Sequence, residues 1–148
     1  MDKRRRTRLT WLLGALLALT LCFVWGNSLL GREESAGLSR RVYLWLRSVG
    51  VPIRSELFLR KLAHFCEFGA VGAELSLLLL IRGGRGFQGV CNSAFAGLLI
   101  AVTDEALQLV SQRGSSVADV LLDFSGAVTG ILVLRLIALL FGRRSTSQ

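Results

Sequence analysis

Three apolar stretches of this sequence, and one loop between them, contain side chains that can carry charge, hold a cation or contact phosphate. The nine that make up the candidate polar site are Lys61, His64, Glu67, Asp104, Glu105, Gln108, Arg113, Asp119 and Asp123. A charge at the bilayer centre costs about 3 kcal/mol on insertion scales, so this many in apolar stretches indicate a shared interior site. Paired carboxylates can divide general acid and base roles, and carboxylates with one histidine can hold a divalent cation. Lys61 and Arg113 can hold phosphate.

Acids outnumber bases in and around this set. The acids are Glu67, Glu74, Asp104, Glu105, Asp119 and Asp123, and the bases are Arg60, Lys61, His64 and Arg113. The surplus predicts that some carboxyl groups are protonated or bound to a metal ion. The alternative is that the polar residues only pair with one another and tie helices together. No catalytic residue and no cofactor are assigned. A divalent cation at the carboxylate cluster stays an open alternative, although the single histidine disfavours a zinc hydrolase.

Four apolar stretches must position these side chains, and they cover residues 9–26, 61–81, 87–110 and 117–141. Each reaches about 20 residues, enough to cross about 30 Å of hydrocarbon as a helix. The chain is 52% hydrophobic and its mean hydropathy is +0.54, which is too apolar for a soluble domain. We therefore predict an all-α integral membrane bundle of four transmembrane helices. Residues 1–148 form a single membrane domain in this interpretation.

Helical geometry brings the polar residues to one face and one depth. Asp104 and Gln108 share a face of the third span, and Asp119 and Asp123 share a face of the fourth. Short connections force neighbouring spans to run antiparallel, so the start of the second span, the end of the third and the start of the fourth meet. Most of the site then lies about 5–10 Å below one membrane surface. Small residues that would let the helices approach closely are Gly69, Gly72, Gly97, Gly126 and Gly130.

A further helix is predicted between the first and second spans, over residues 38–50. Leu38, Val42, Trp45, Leu46 and Val49 recur at helical spacing, and arginines occupy the opposite face. Such an amphipathic helix lies in the membrane interface or caps the bundle. An ordinary solvated loop helix explains the pattern equally well.

Basic residues set the expected orientation. They cluster in residues 3–8, at Arg82 with Arg85, and at Arg143 with Arg144, which alternate onto one side of the membrane. By the positive-inside rule both termini are cytoplasmic and the polar site opens outward. The formal charge of +8 thus indicates topology signals and contacts with membrane lipids, not nucleic-acid binding. Arg135 is expected to extend toward the cytoplasmic interface.

The polar motifs follow one another in a distinctive order. They are His64-Phe65-Cys66-Glu67-Phe68-Gly69, then Asp104-Glu105-Ala106-Leu107-Gln108, then Arg113-Gly114-Ser115, and then Asp119-Val120-Leu121-Leu122-Asp123 followed by Gly126 and Gly130. Asn27-Ser28-Leu29 precedes them. This ordered set resembles the VanZ-like family of bacterial membrane proteins, which is named for a protein associated with teicoplanin resistance. The resemblance implies a multi-pass protein of the bacterial cytoplasmic membrane with a link to the cell envelope and to antibiotic resistance.

Three functions fit the residues. The first is binding or modulation of an anionic or lipid-linked envelope component, held by the outward polar site and its basic rim. The second is a membrane enzyme acting on a lipid head group or lipid-linked substrate. The third is proton- or ion-coupled transport. The sequence leaves the oligomeric state and the presence of any catalytic reaction open.

Overall fold

The computed structural model describes residues 2–84, 86–112, 114 and 116–144, and the chain is helical through most of this part. Its helices are α1 (Lys3–Ser28), α2 (Arg32–Ser48), α3 (Glu56–Ile81), α4 (Phe87–Val110) and α5 (Val117–Arg144). Among these described helices, α1, α3, α4 and α5 are long and apolar enough to cross a membrane. The predicted all-α class with four membrane-spanning helices is confirmed.

Helix α3 begins earlier than its apolar pattern indicates, at Glu56 instead of Lys61. The Ser55 side chain accepts a hydrogen bond from the Phe58 backbone N–H at 3.1 Å and so caps the first turn. Helix α1 likewise extends back to Lys3, because lysine and arginine have high helix propensity, which outweighs the unfavourable position of their positive charges at the helix N-terminus.

Helix α2 covers residues 32–48, whereas the amphipathic pattern marked residues 38–50. Glu34 lies in its first turn, where a negative charge favours the helix N-terminus. The helix stops before Gly50, whose φ of 83° suits a residue without a side chain. Helix α2 packs against α3.

The centre of the bundle is the crossing of α3 and α5, which pack backbone to backbone. A Cβ at Gly72 would overlap the Ala127 backbone, and one at Gly126 would overlap the Phe65 carbonyl group. Close approach therefore depends on these glycines, as the sequence predicts. Helices α1 and α4 complete the bundle, and its small core combines Val24, Phe68, Ala101 and Ala127 from the four long helices.

Arg135 differs from its expected place. Its side chain is buried inside the bundle, where Nε donates to Ser76 Oγ at 2.9 Å and Nη1 donates to the Gly84 carbonyl oxygen at 2.8 Å. The guanidinium group does reach the loop after α3, but it is buried there and not solvated at an interface, because neighbouring oxygens take up its donors within the protein. The absence of a side chain at Gly89 leaves room for the Arg135 guanidinium group, since a Cβ there would lie 2.9 Å from one of its terminal nitrogens.

Candidate functional site

The N-terminal parts of α3 and α5 lie side by side and form two successive contacts. Lys61 Nζ lies 3.3 Å from Asp119 Oδ1, at the rim, where both side chains are partly exposed. One turn further in, His64 Nδ1 lies 3.8 Å from Asp123 Oδ1, and the Asp123 side chain is only 2% exposed. Residues far apart in sequence thus meet at one end of the bundle, at the depth that the antiparallel arrangement predicts.

Asp104 is fully buried and connects α4 to α1. Its Oδ1 accepts a hydrogen bond from Ser28 Oγ at 2.6 Å, and its Oδ2 accepts one from Gln108 Nε2 at 2.8 Å. Ser111 Oγ also donates to the Ser28 carbonyl oxygen at 2.9 Å. These bonds hold the Asp104 carboxylate in one orientation, because each oxygen has a fixed donor.

Glu105 is buried as well, but it points to a different place from Asp104. Its Oε1 accepts a hydrogen bond from the Ser116 backbone N–H, immediately before α5 begins. A carboxylate at a helix N-terminus compensates the unpaired N–H groups and the positive end of the helix dipole. Glu105 therefore attaches the end of α4 to the start of α5, which positions Asp119 and Asp123.

The structure does not place the whole predicted set at one point. Glu67 is half-buried on α3 and faces the space between α1, α2 and α3, one turn deeper than His64. Arg113 lies outside the described residues. The residues that surround a common centre are Lys61, His64, Asp104, Gln108, Asp119 and Asp123.

Two cavities adjoin this centre. The smaller, the polar cavity, has a volume of about 20 Å³ and is lined by Arg60, Lys61, His64, Gln108, Asp119, Leu122 and Asp123. That volume fits one water molecule or one small ion. The larger, the apolar groove, has a volume of about 580 Å³ between α1, α2 and α3 and is lined by Cys22, Phe23, Gly26, Asn27, Leu30, Ser35, Leu38, Ser39, Val42, Leu59, Arg60, Ala63, His64 and Glu67. Arg60 and His64 line both spaces, so the polar cavity and the apolar groove meet at these two side chains.

Three side chains of the site bring atoms that can bind a metal ion close to one another. His64, Asp104 and Asp123 each offer one ligand atom, and these atoms lie within 4.8 Å of one another. They come from α3, α4 and α5 respectively. The arrangement can hold a cation, or it can share protons between two buried carboxyl groups.

A family model described as VanZ/LLP1 matches residues 11–139. The chain belongs to the VanZ/LLP1 family. The match includes all nine residues of the predicted site and confirms the resemblance drawn from the ordered motifs. Together with its four apolar helices, membership identifies this VanZ/LLP1 protein as a multi-pass membrane protein surrounded by lipid. No curated protein and no solved structure gave a match to the chain.

Several polar contacts of this VanZ/LLP1 protein involve residues outside the predicted site. Ser28 is the donor that holds Asp104, and its only sequence signal was its position in Asn27-Ser28-Leu29. Thr20 Oγ1 donates to Glu74 Oε1 at 2.9 Å, which gives the deepest acid of α3 a partner on α1. Arg60 counted only as a nearby base in the sequence, because nothing there indicates that it borders two cavities.

Proposed function

We propose that this VanZ/LLP1 protein binds or modulates an anionic, lipid-linked component of the bacterial cell envelope. The observation that carries the proposal is the junction of the polar cavity with the apolar groove at Arg60 and His64. An amphiphile has the same division, with a charged head group at one end of an apolar chain. The proposal places both termini in the cytoplasm and the site at the outer face of the cell membrane. It extends to the glycopeptide resistance that the VanZ-like resemblance implies.

The apolar groove supplies position more than affinity. Its volume lies in the range of small-molecule sites, and Leu38 and Val42 of α2 form one wall. A chain that leaves the bilayer for the groove exchanges one apolar environment for another, so the transfer gains little free energy. Discrimination between lipids must then come from the head group, which meets Arg60 and the polar cavity.

Arg60 is the side chain that can recognise a phosphate at this junction. It is exposed and borders both cavities, whereas the neighbouring Lys61 already lies against Asp119. A guanidinium group donates two parallel hydrogen bonds to phosphate oxygens, and such charge-assisted bonds are the strong ones. Arg60 therefore ranks first among the basic residues of the described site.

The experiment uses farnesyl phosphate and farnesol, which share one chain and differ only in the phosphate. Native mass spectrometry of the purified protein in detergent measures binding of each. We expect farnesyl phosphate to bind the wild type at least about tenfold more tightly, a difference of about 1.4 kcal/mol. Arg60→Gln removes most of that difference. Arg54→Gln is the matched control, because Arg54 is exposed and lines neither the polar cavity nor the groove, and it leaves binding unchanged.

Equal binding of the two compounds, or an Arg60→Gln variant that binds as the wild type does, contradicts the proposal. The same incubations also test the alternative of an enzyme acting on a lipid head group. The proximity of the buried carboxylates Asp104 and Asp123 favours that alternative, because neighbouring acids can divide acid and base roles. Release of inorganic phosphate from farnesyl phosphate, lost in Asp123→Asn, would support the enzyme over simple binding.

A further inference from the structure

We propose that His64, Asp104 and Asp123 form a binding site for one divalent cation of the Mg²⁺ or Mn²⁺ class. One imidazole nitrogen and two carboxylate oxygens from α3, α4 and α5 lie within 4.8 Å of one another. Oxygen-rich ligands favour Mg²⁺ and Mn²⁺, and a single imidazole is compatible with Mn²⁺. In the octahedral geometry of Mg²⁺ and Mn²⁺, metal–ligand distances of about 2.1 Å place neighbouring ligands about 3.0 Å apart and opposite ligands about 4.2 Å apart. From an outer limit of 4.8 Å, the side chains therefore close in by at most about 1.8 Å when the ion binds.

Asp123 supplies the observation that separates this site from an ordinary acidic cluster. The residue is 1% exposed, and its Oδ1 accepts no hydrogen bond from the described residues. The Lys61 ammonium group does not pair with Asp123, because it lies 3.3 Å from Asp119 Oδ1, and His64 Nδ1 lies 3.8 Å from Asp123 Oδ1, beyond hydrogen-bonding distance. A buried carboxylate oxygen without a hydrogen-bond donor is destabilising unless a cation or a proton is present. Asp123 also lines the polar cavity, which has room for one ion or water.

The partners of Asp104 suit a metal ligand. Ser28 and Gln108 each donate one hydrogen bond to its carboxylate, which orients the group and leaves further lone pairs on both oxygens. Hydrogen bonds of this kind are what orient the ligands of known metal sites. Two aspartates also neutralise a divalent cation completely, which lowers the cost of placing both charges among membrane helices.

A cation at this position explains how a carboxylate-rich centre can accept an anionic head group. Without it, a phosphate at the junction would lie close to Asp119 and Asp123, and the like charges would repel. With it, phosphate oxygens can complete the coordination of the ion, as phosphates commonly do with Mg²⁺. This last step rests on the proposed function, whereas the ion site itself rests on the three ligands alone.

Electron paramagnetic resonance with Mn²⁺ tests the site in the lipid-free protein in detergent. We expect one Mn²⁺ bound per chain, with electron spin echo modulation from the ¹⁴N nucleus of the single histidine, His64. His64→Gln abolishes the ¹⁴N modulation. Asp123→Asn weakens Mn²⁺ binding about tenfold or more. Glu34→Gln is the matched control, because Glu34 is an exposed acid of α2 that lines neither the polar cavity nor the apolar groove, and it leaves affinity within about threefold.

Several results would overturn the site. They are an absence of bound Mn²⁺ at millimolar concentration, Mn²⁺ bound to the wild type without ¹⁴N modulation, and equal weakening by Glu34→Gln and Asp123→Asn. The wild-type spectrum decides the matter even if a variant fails to fold. Farnesyl phosphate titrations with Mn²⁺ or with a chelator then separate the two proposals. If Mn²⁺ binds with ¹⁴N modulation but farnesyl phosphate does not bind, only the proposed function is refuted. If farnesyl phosphate binds equally well with a chelator present and Mn²⁺ gives no ¹⁴N modulation, only the cation site is refuted.

Discussion

Gly130 and Gly69 lie at the same crossing of α3 and α5, yet the structure predicts opposite results when each is changed to alanine. A Cβ at Gly130 would overlap the Gly69 carbonyl oxygen and lie 3.1 Å from the Ala73 backbone nitrogen. A Cβ at Gly69 meets only the Gly126 carbonyl oxygen, at 3.6 Å, which is ordinary van der Waals contact. Backbone atoms cannot rotate away, so Gly130→Ala forces the two helices apart while Gly69→Ala leaves them in place.

The size of the effect follows from two terms. Overpacking of a close interface costs about 1–3 kcal/mol. Replacing glycine by alanine inside a helix gains up to about 1 kcal/mol, and both variants receive this gain. The gain cancels between them, so Gly130→Ala should have a free energy of unfolding about 1–3 kcal/mol lower than Gly69→Ala. Gly69→Ala should equal or slightly exceed the wild type.

Dodecyl sulfate titration of the protein in mixed micelles, followed by far-ultraviolet circular dichroism, measures these free energies. Gly14→Ala serves as a further control, because no atom lies within 4 Å of a Cβ at that position of α1. Equal stability of Gly130→Ala and Gly69→Ala would refute the reasoning, since the two helices would then not touch at Gly130. So would a destabilised Gly69→Ala beside an unaffected Gly130→Ala.

Four further predictions concern single contacts. Ser28→Ala removes the hydrogen-bond donor to buried Asp104 and should lower the free energy of unfolding by about 1.5–3 kcal/mol in the same titration. Its control, Ser125→Ala, loses only an exposed hydrogen bond to the Leu122 carbonyl oxygen and should change that free energy by less than about 0.5 kcal/mol. Thr20→Val should cost about 1 kcal/mol, because the Thr20 hydroxyl contacts Glu74 of α3 as well as the Leu16 carbonyl oxygen of its own helix. Thr103→Val should cost less, because the Thr103 hydroxyl is exposed and bonds only its own helix. Lys61→Gln should cost at most about 1 kcal/mol, and added salt should shrink the difference from wild type, because the side chains of Lys61 and Asp119 are 44% and 34% exposed. Ala63→Trp should fill part of the apolar groove and weaken farnesyl phosphate binding in native mass spectrometry while Mn²⁺ binding persists. Ala118→Trp, at an exposed position of α5, should affect neither.

Helical periodicity was enough to predict which faces are buried. The face of α4 that Asp104 and Gln108 are predicted to share is buried, and Ser93 and Gly97 are buried with them. The reason is physical, because a membrane helix with one polar stripe can hide it only inside the bundle. The common depth of the acids followed from chain direction alone, through the alternation of the spans.

The identity of each partner could not be predicted in the same way. Whether Asp104 bonds to Ser28, or Arg135 to Ser76, depends on the rotation and tilt of whole helices relative to one another. Those quantities are set by close contacts such as that of Gly72 with Ala127, which join residues distant in sequence. The apolar groove was missed for the same reason. It exists because α2 packs against α3 and leaves space beside α1, and no periodicity within α2 records that.

The exposure of the side chains falls steadily from the rim of the site inward, and this order constrains what can bind where. Lys61 is 44% exposed at the rim, His64 is 12% exposed one turn deeper, and Asp104 is fully buried. The free-energy cost of an unpaired charge rises from the rim to the buried interior, because water is progressively excluded. An anionic group that enters from the rim meets Arg60 and the Lys61–Asp119 pair first and the buried carboxylates of Asp123 and Asp104 last. The reverse arrangement, with the anion among Asp104 and Asp123 and a cation at the rim, would place like charges together where screening is weakest. The basic rim is therefore the place for a phosphate, and the carboxylate interior is the place for a cation.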